Sequence, residues 1–188
     1  MNVFLKITSI AALVIGGTNI AHAAINSDVE ISGNIVTHTC DVSVPQPSYD
    51  LGNFAPVAFG TSGKENAVGA KHFILSVKNC AGNLEKSGDM LSVQVYETGT
   101  TNGADPSNFY GADNGTNAGI TLTMSGGVPT GDTSVSPTSP TYEIYKAVKD
   151  TDPITGKVWP IVVTAAMKAV AVPTPGAVKA NLRFTMAE

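Results

Sequence analysis

The chain has 188 residues, with 11 basic and 15 acidic side chains that give a net charge of −4 at pH 7. This acidic balance, with Arg183 as the single arginine, argues against nucleic-acid binding and provides no basic patch for an anionic membrane. With 19 Gly and 11 Pro, and with apolar residues in short runs, the composition also disfavours a helical bundle.

Residues 1–23 have the composition of a secretory signal peptide. Lys6 is the only charge at the start, and a mainly apolar stretch covers residues 7–15. Ala21 and Ala23 are small residues at the two positions that a signal peptidase reads, which predicts cleavage after Ala23. The stretch is too short for a membrane span, and no later one reaches about 18 apolar residues. We therefore expect an exported chain with one mature domain and no membrane insertion.

The predicted mature chain begins with an alternating segment, residues 24–32. Apolar or small residues at every second position share one face, and Asn26, Asp28 and Glu30 alternate with them. The residues on the first face are Ile25, Ser27, Val29 and Ile31. Period-two alternation is typical of a β-strand, and we predict a strand over residues 29–39.

Further strands are predicted along the rest of the chain. Their predicted ranges are 72–78, 90–96, 119–124, 142–146, 158–170 and 178–186. Turn signals lie between them, at 81–83, 125–127, 152–156 and 173–176. Two polar stretches rich in Gly, Ser, Thr, Asn and Pro, at 99–117 and 129–140, are predicted to be exposed loops. Short strands separated by such turns and loops predict an all-β sandwich.

Cys40 and Cys80 each end a strand-like run. In an exported protein two cysteines pair more often than they bind metal or attack a substrate, so we predict a disulfide between them. In the loop-entropy description, closing a loop of about 40 residues contributes about 4 kcal/mol.

The last predicted strand alternates from end to end. Its polar residues are Lys179, Asn181, Arg183 and Thr185, and its apolar residues are Val178, Ala180, Leu182, Phe184 and Met186. The apolar face must be covered by something. One interpretation is that residues 24–32 and 178–186 are simply the first and last strands of a closed sandwich.

Catalytic and metal sites find little support in the sequence. The spacing of His38 and His72 from the cysteines fits no zinc pattern, and a disulfide would consume both thiols. No G-x-S-x-G motif is present, and the carboxylates are scattered. The acidic region around Asp105 and Asp113 lacks a 12-residue calcium loop, and Trp159 fits a core position better than a sugar platform. We predict no catalytic residues, no metal and no enzyme activity.

A series of short motifs runs through most of the predicted mature chain. In order they are Gly33-x-Ile35-Val36-x-x-x-Cys40, Asp50-Leu51-Gly52, Phe73-x-Leu75-x-Val77-x-Asn79-Cys80, Gly119-Ile120-x-Leu122, Val158-Trp159-Pro160-Ile161 and Pro175-Gly176. Each motif alone is weak. Their order, the alternating last strand and the signal peptide together resemble pilins of the chaperone–usher pathway, in particular type 1 fimbrial rod subunits.

This resemblance implies an incomplete immunoglobulin-like sandwich that lacks its last strand and is completed by a donor strand from another subunit. It implies a pilin domain at residues 33–188, preceded by a donor-strand extension at residues 24–32. The donor residues would be Ile25, Ser27, Val29 and Ile31, and the acceptor groove would be formed by Val178, Ala180, Leu182, Phe184 and Met186. Cys40 and Cys80 would form the disulfide of the family.

The partners implied by the resemblance are neighbouring pilin subunits, a periplasmic chaperone and an outer-membrane usher, with no cofactor. The chain would pass through the periplasm to a fimbria on the cell surface and support adhesion. Two other functions stay open at this point. One is a minor pilus subunit or adaptor, and the other is a self-complete secreted β-sandwich that acts as a binding module.

Overall fold

The computed structural model describes residues 36–99, 105, 107–113 and 115–187. The predicted signal peptide at 1–23 and the predicted donor segment at 24–32 therefore lie outside the described residues. The same holds for all four donor residues, which are Ile25, Ser27, Val29 and Ile31.

The described ranges contain eleven strands and one 3-10 helix at Pro56–Phe59. The strands are β1 (His38–Ser43), β2 (Val68–Leu84), β3 (Met90–Glu97), β4 (Ala112–Asp113), β5 (Ala118–Ser125), β6 (Thr133–Val135), β7 (Thr141–Lys146), β8 (Asp152–Pro153), β9 (Trp159–Ala169), β10 (Val178–Lys179) and β11 (Leu182–Met186). No helix in these ranges has the length and apolar character needed to cross a membrane.

The larger sheet is antiparallel, with strand order β1-β2-β9-β5-β6, and β8 pairs with the C-terminal end of β2. Alternation gives the sheet two different faces. Leu75 and Val77 of β2 are fully buried, whereas Ile74, next to Leu75, is half exposed and pairs with Val162 of β9. The inner face is therefore the one that meets the second layer.

The second layer is a three-stranded antiparallel sheet with the order β11-β3-β7, and β10 forms a separate small ladder with β4. Leu91 and Val93 of β3 are fully buried in the same cluster as Leu75 and Ile161 of the larger sheet. One core thus lies between two antiparallel layers. The prediction of an all-β fold built as a sandwich is confirmed.

The prediction of a disulfide is also confirmed, because Cys40 of β1 is bonded to Cys80 of β2. The bond lies beside an irregularity in the β1–β2 ladder. The register shifts between Thr39 and Asp41, and Asn79 on the partner strand has a φ of 52°. The ladder continues on both sides of this bulge.

Two strand boundaries differ from the predicted ones because pairing continues past the local turn signals. The predicted turn at 81–83 is wrong, since Gly82 pairs with His38 and Asn83 pairs with Pro153. The strand predicted at 29–39 begins, within the described part of the chain, at His38 and extends to Ser43.

The two predicted loops are partly structured. Residues 129–140 contain β6, which pairs with β5 and buries Val135, so the prediction of a fully exposed loop is wrong there. In the other stretch, Tyr110 is buried and bridges Ile120 by two backbone hydrogen bonds of 2.8 and 2.6 Å. Pairing with β5 thus holds Tyr110 and β6 in place, which local composition does not reveal.

Candidate functional site

The site lies where an edge strand of the larger sheet comes close to an edge strand of the smaller sheet. β1 is an edge strand of the larger sheet and β11 is an edge strand of the smaller one. The two strands are close to each other but share no ladder. Among the described residues, β11 pairs with β3 alone, so its opposite backbone edge has no strand partner. An edge strand of this kind is a template for adding another strand.

The alternation predicted for residues 178–186 is present, although the predicted single strand is divided into β10 and β11. The break falls at Ala180–Asn181, since β10 pairs with β4 whereas β11 pairs with β3. Lys179, Asn181 and Arg183 are exposed. The apolar residues are all half-buried and pack against the core, and they are Val178, Ala180, Leu182, Phe184 and Met186.

A groove with a cavity volume of about 290 Å³ lies beside these residues. One wall is formed by Val178, Ala180, Leu182 and Phe184, and the opposite wall by residues 44–52, which follow β1 without forming a strand. The floor consists of Ile120 and Leu122 of β5 and of Ala165 and Met167 of β9. The floor is therefore the inner face of the larger sheet, reached through the gap between the two layers.

Two further depressions extend this groove along the C-terminal strands. One shares Phe184 with it and continues past Met186 to Cys40 and Val42 of β1. The other shares Val178 with it and continues to the loop at residues 173–177. The three together form one elongated depression, which we call the C-terminal groove. All five acceptor residues predicted from the sequence line this groove.

An aromatic cluster spans the middle of the C-terminal groove. The ring of Tyr49 stacks on Phe73, with centroids 4.4 Å apart and planes at 15°. Phe73 in turn makes an edge-on contact with Phe184, with centroids 6.2 Å apart and planes at 80°. These contacts connect the 44–52 wall, β2 and β11.

Charge is confined to the rim of the groove. Asp50 is exposed and its Oδ1 accepts a hydrogen bond of 2.9 Å from the Gly52 amide, which shapes the 44–52 wall. Lys179 is exposed on the opposite side. The floor between the two sheets and the wall formed by Leu182 and Phe184 are apolar, so this part of the groove suits an extended segment with apolar side chains at every second position, and it disfavours a buried charge.

Sequence reasoning missed the residues that approach the groove from other parts of the chain. Tyr49 is the clearest case, because it lies in a wall without secondary structure and with no periodic signal. Met167 and Ile120 did carry a signal, since each is followed by a polar residue within a predicted strand. That pattern marks them as inward-facing, but it cannot say that they border a groove.

The residues considered for catalysis or metal binding are dispersed. Within the described ranges, no group of three or more His, Cys, Asp or Glu side chains is arranged to hold a metal ion. His38 pairs with Gly82 near one end of β2, whereas the Nδ1 atom of His72, ten residues earlier on β2, lies 2.8 Å from Thr164 Oγ1. Among the described residues, the two histidines therefore lie apart along β2 and do not form a common site.

Comparison with known proteins gives one family-level match. The family model described as "Fimbrial protein" matches residues 29–187, which is most of the chain. No curated protein sequence matches significantly.

Two solved structures are similar to this chain at 16% sequence identity. The P pilus rod subunit PapA aligns over 86% of this chain and 98% of its own, with a TM-score of 0.47. A chaperone–usher pilus, solved in work on rod uncoiling, aligns over 86% of this chain and 94% of its own, with a TM-score of 0.44. The family match covers a similar part of the chain.

Proposed function

This chain belongs to the Fimbrial protein family and is a structural, non-enzymatic subunit of a pilus, and from that premise we propose that it polymerises by donor-strand exchange. The C-terminal groove receives the N-terminal segment of a neighbouring subunit. That segment adds a strand to the free edge of β11 and inserts its apolar side chains between the two sheets.

The observation that carries this proposal is the combination of an unpaired strand edge with an apolar groove beside it. An exposed edge next to apolar surface is an arrangement that β-proteins normally avoid. Here the edge of β11 and the half-buried side chains of Leu182 and Phe184 lie side by side. β-strand addition satisfies both features at once, because main-chain hydrogen bonds pair the edge and alternate side chains fill the groove.

We assign the donor strand to residues 24–32, between a signal peptide at 1–23 and a pilin domain at 33–188. Its inward residues are Ile25, Ser27, Val29 and Ile31. Burial of the three large apolar side chains contributes about 5–9 kcal/mol at about 1.5–3 kcal/mol each, as an upper bound. The main-chain hydrogen bonds add to this. Such a contact is strong enough to hold a polymer together without a cofactor.

The same groove accounts for the proposed assembly partners. An isolated subunit exposes the groove and the edge, so it needs temporary cover by a periplasmic chaperone before it reaches an outer-membrane usher. Because donor and acceptor are different surfaces of one chain, the contact is heterologous and builds an open filament. The filament then presents the subunits at the cell surface, where it supports adhesion.

The test is a charge placed in the groove. Phe184→Asp puts a carboxylate into the aromatic cluster without a partner, and we expect polymer yield to fall at least about tenfold. Asn181→Asp is the matched control, because it adds the same charge to the same region at an exposed position. Both variants are expressed in the periplasm with the chaperone, and multimers are quantified on unheated denaturing gels.

Asn181→Asp should polymerise like the wild type. If Phe184→Asp assembles normal pili at normal yield, the C-terminal groove is not the site of subunit contact and the proposal is wrong.

A further inference from the structure

The connection between β1 and β2 carries an apolar run that the fold leaves largely uncovered. Residues 54–59 read Phe-Ala-Pro-Val-Ala-Phe, and we call them the 54–59 run. Within it Phe59 alone is buried, whereas Phe54 is 43% and Val57 82% exposed. An exposed run of consecutive apolar residues is unfavourable in water unless a partner covers it. We therefore looked for the surface that would cover this run.

The 54–59 run lies at one end of the sandwich, where the C-terminal groove also ends. Phe59 is buried with Ala118 and Ala169, where β5 begins and β9 ends. Residues 52–56 line the same depression as residues 173–178, which is the part of the groove that continues past Val178. The run thus borders the Val178 end of the groove.

The described chain begins at the opposite end of the sandwich. β2 runs along the larger sheet from Val68 to Leu84, and near its C-terminal end the Asn83 amide donates a hydrogen bond of 3.4 Å to the Thr37 carbonyl. Val36 is half exposed at this end. Val158 is exposed just before β9, which runs antiparallel to β2 and begins at the same end. We call this the N-terminal end of the subunit.

The length of the N-terminal segment brings these two ends together in different copies. Three residues, 33–35, connect the proposed donor segment at 24–32 to Val36, so Val36 lies within about 14 Å of residue 32. Under the proposed function, residue 32 lies in the groove of the neighbouring subunit. The N-terminal end of one subunit is then held next to one end of its neighbour's groove.

Filament growth selects the Val178 end of that groove. The Met186 end borders Cys40 and Val42 of β1, so it lies at the N-terminal end of its own subunit. Docking there would crowd the N-terminal ends of successive subunits together, whereas docking at the Val178 end joins opposite ends and repeats without limit. The donor strand then runs antiparallel to β11. Residues 24–32 also match residues 178–186 in length.

We propose that the 54–59 run forms a second contact between successive subunits, and that it packs against the N-terminal end of the subunit whose donor strand fills the groove. Phe54 and Val57 are the exposed side chains of this contact, and Val36 and Val158 are apolar residues of the facing end. This inference rests on the proposed donor-strand exchange. It adds to the joint between subunits an apolar contact beyond the inserted strand itself.

The experiment places one cysteine on each of the two surfaces in the full chain, as Val36→Cys with Val57→Cys. Both positions are exposed, and the native cysteines are bonded to each other, so the new thiols are the reactive ones. Val36→Cys with Ile74→Cys is the matched control, since Ile74 is half exposed on the outer face of the larger sheet. Polymers assembled in the periplasm with the chaperone are treated with a short thiol-to-thiol cross-linker and run on denaturing gels before and after boiling.

We expect all variants to form the ladder of multimers on unheated gels. After boiling, most of the ladder should survive for Val36→Cys with Val57→Cys, because each subunit is then linked covalently to the next. The ladder should collapse to monomer for the control pair with Ile74→Cys and for Val36→Cys alone.

Collapse of the Val36→Cys, Val57→Cys ladder on boiling would overturn the inference and leave donor-strand exchange intact. Equal survival in the control pair would overturn it as well, since the cross-link would then not depend on the 54–59 run. Boil-resistant dimers from Val36→Cys alone would show that N-terminal ends meet each other, which contradicts the inference. If even wild-type chains form no unheated ladder, the proposed function fails and this inference fails with it.

Discussion

At the scale of single residues, Asp152 shows how a buried charge supports the fold away from the groove. Its Oδ2 atom accepts hydrogen bonds of 2.8 Å from the Tyr145 hydroxyl and 3.0 Å from the Val148 amide. The Lys157 ammonium lies 3.7 Å from Oδ1 and 4.4 Å from the Tyr145 ring centroid. The Val148 amide first, and then the Tyr145 hydroxyl, lower the pKa of Asp152 below its ordinary value of 3.8.

This pKa predicts how acid affects stability. Because the pKa is lower in the folded state than in the unfolded one, the carboxylate stabilises the fold above the ordinary aspartate pKa. That contribution is lost as the pH falls through the folded value. We expect Asp152→Asn to lower the melting temperature at pH 7, and the difference from wild type to shrink below about pH 3.8.

The measurement is thermal unfolding of polymer-free subunit–chaperone complexes between pH 7 and pH 3. Asp132→Asn, at an exposed position, serves as control and should follow the wild type throughout. A difference for Asp152→Asn that stays constant with pH would show that the carboxylate charge does not contribute.

At the scale of elements, β1 has two roles. It is bonded to β2 by the Cys40–Cys80 disulfide, and with Asp41 and Val42 it borders the end of the C-terminal groove near Met186. Cross-linking an edge strand to its neighbour keeps the groove wall in place when no strand fills the gap. The disulfide therefore fixes one border of the C-terminal groove in addition to contributing to overall stability.

We predict that Cys40→Ser sharply lowers the yield of folded subunit. The expected loss is up to about 4 kcal/mol of unfolding free energy for a closed loop of about 40 residues. Periplasmic yield and denaturant unfolding measure the effect. The Cys40→Ser, Cys80→Ser double variant is the control and should lose as much as the single one. Unchanged yield in both variants would contradict a stabilising role for the bond.

The strands also show which features of the structure could be predicted from the sequence. Alternation is a local property, so the five apolar residues between Val178 and Met186 could be placed on one face of a strand from the sequence. The division into β10 and β11 could not, because it depends on pairing with β4 and β3 far away in the chain. β6 could not be predicted from the sequence either, because it forms a strand only by pairing with β5.

The groove itself was predictable in part for the same reason. Its C-terminal wall follows from period-two alternation and from the resemblance to pilins. The 44–52 wall, including Tyr49, has neither periodicity nor secondary structure, so only the folded chain places it opposite Phe184. The role of residues 24–32 as donor remains a prediction, since they lie outside the described residues.

At the scale of the whole molecule, donor-strand exchange would make this a fold that becomes complete only in the polymer. The groove and the free edge of β11 are surfaces that a second copy of the chain can cover, with a segment that lies at the other end of the same sequence. Under the proposed donor-strand exchange, an open filament would follow from this asymmetry, because every added subunit would bring both a donor segment and a new groove.

The most direct measurement compares the mature chain with a version lacking residues 24–32, each co-expressed in the periplasm with its chaperone and run unheated on a denaturing gel. A full-length variant with Ile25, Val29 and Ile31 changed to serine keeps the segment while removing its apolar side chains. Donor-strand exchange predicts a ladder of multimers from the mature chain alone, which collapses on boiling. Stable monomers from all three chains, or a ladder that persists without residues 24–32, would contradict it.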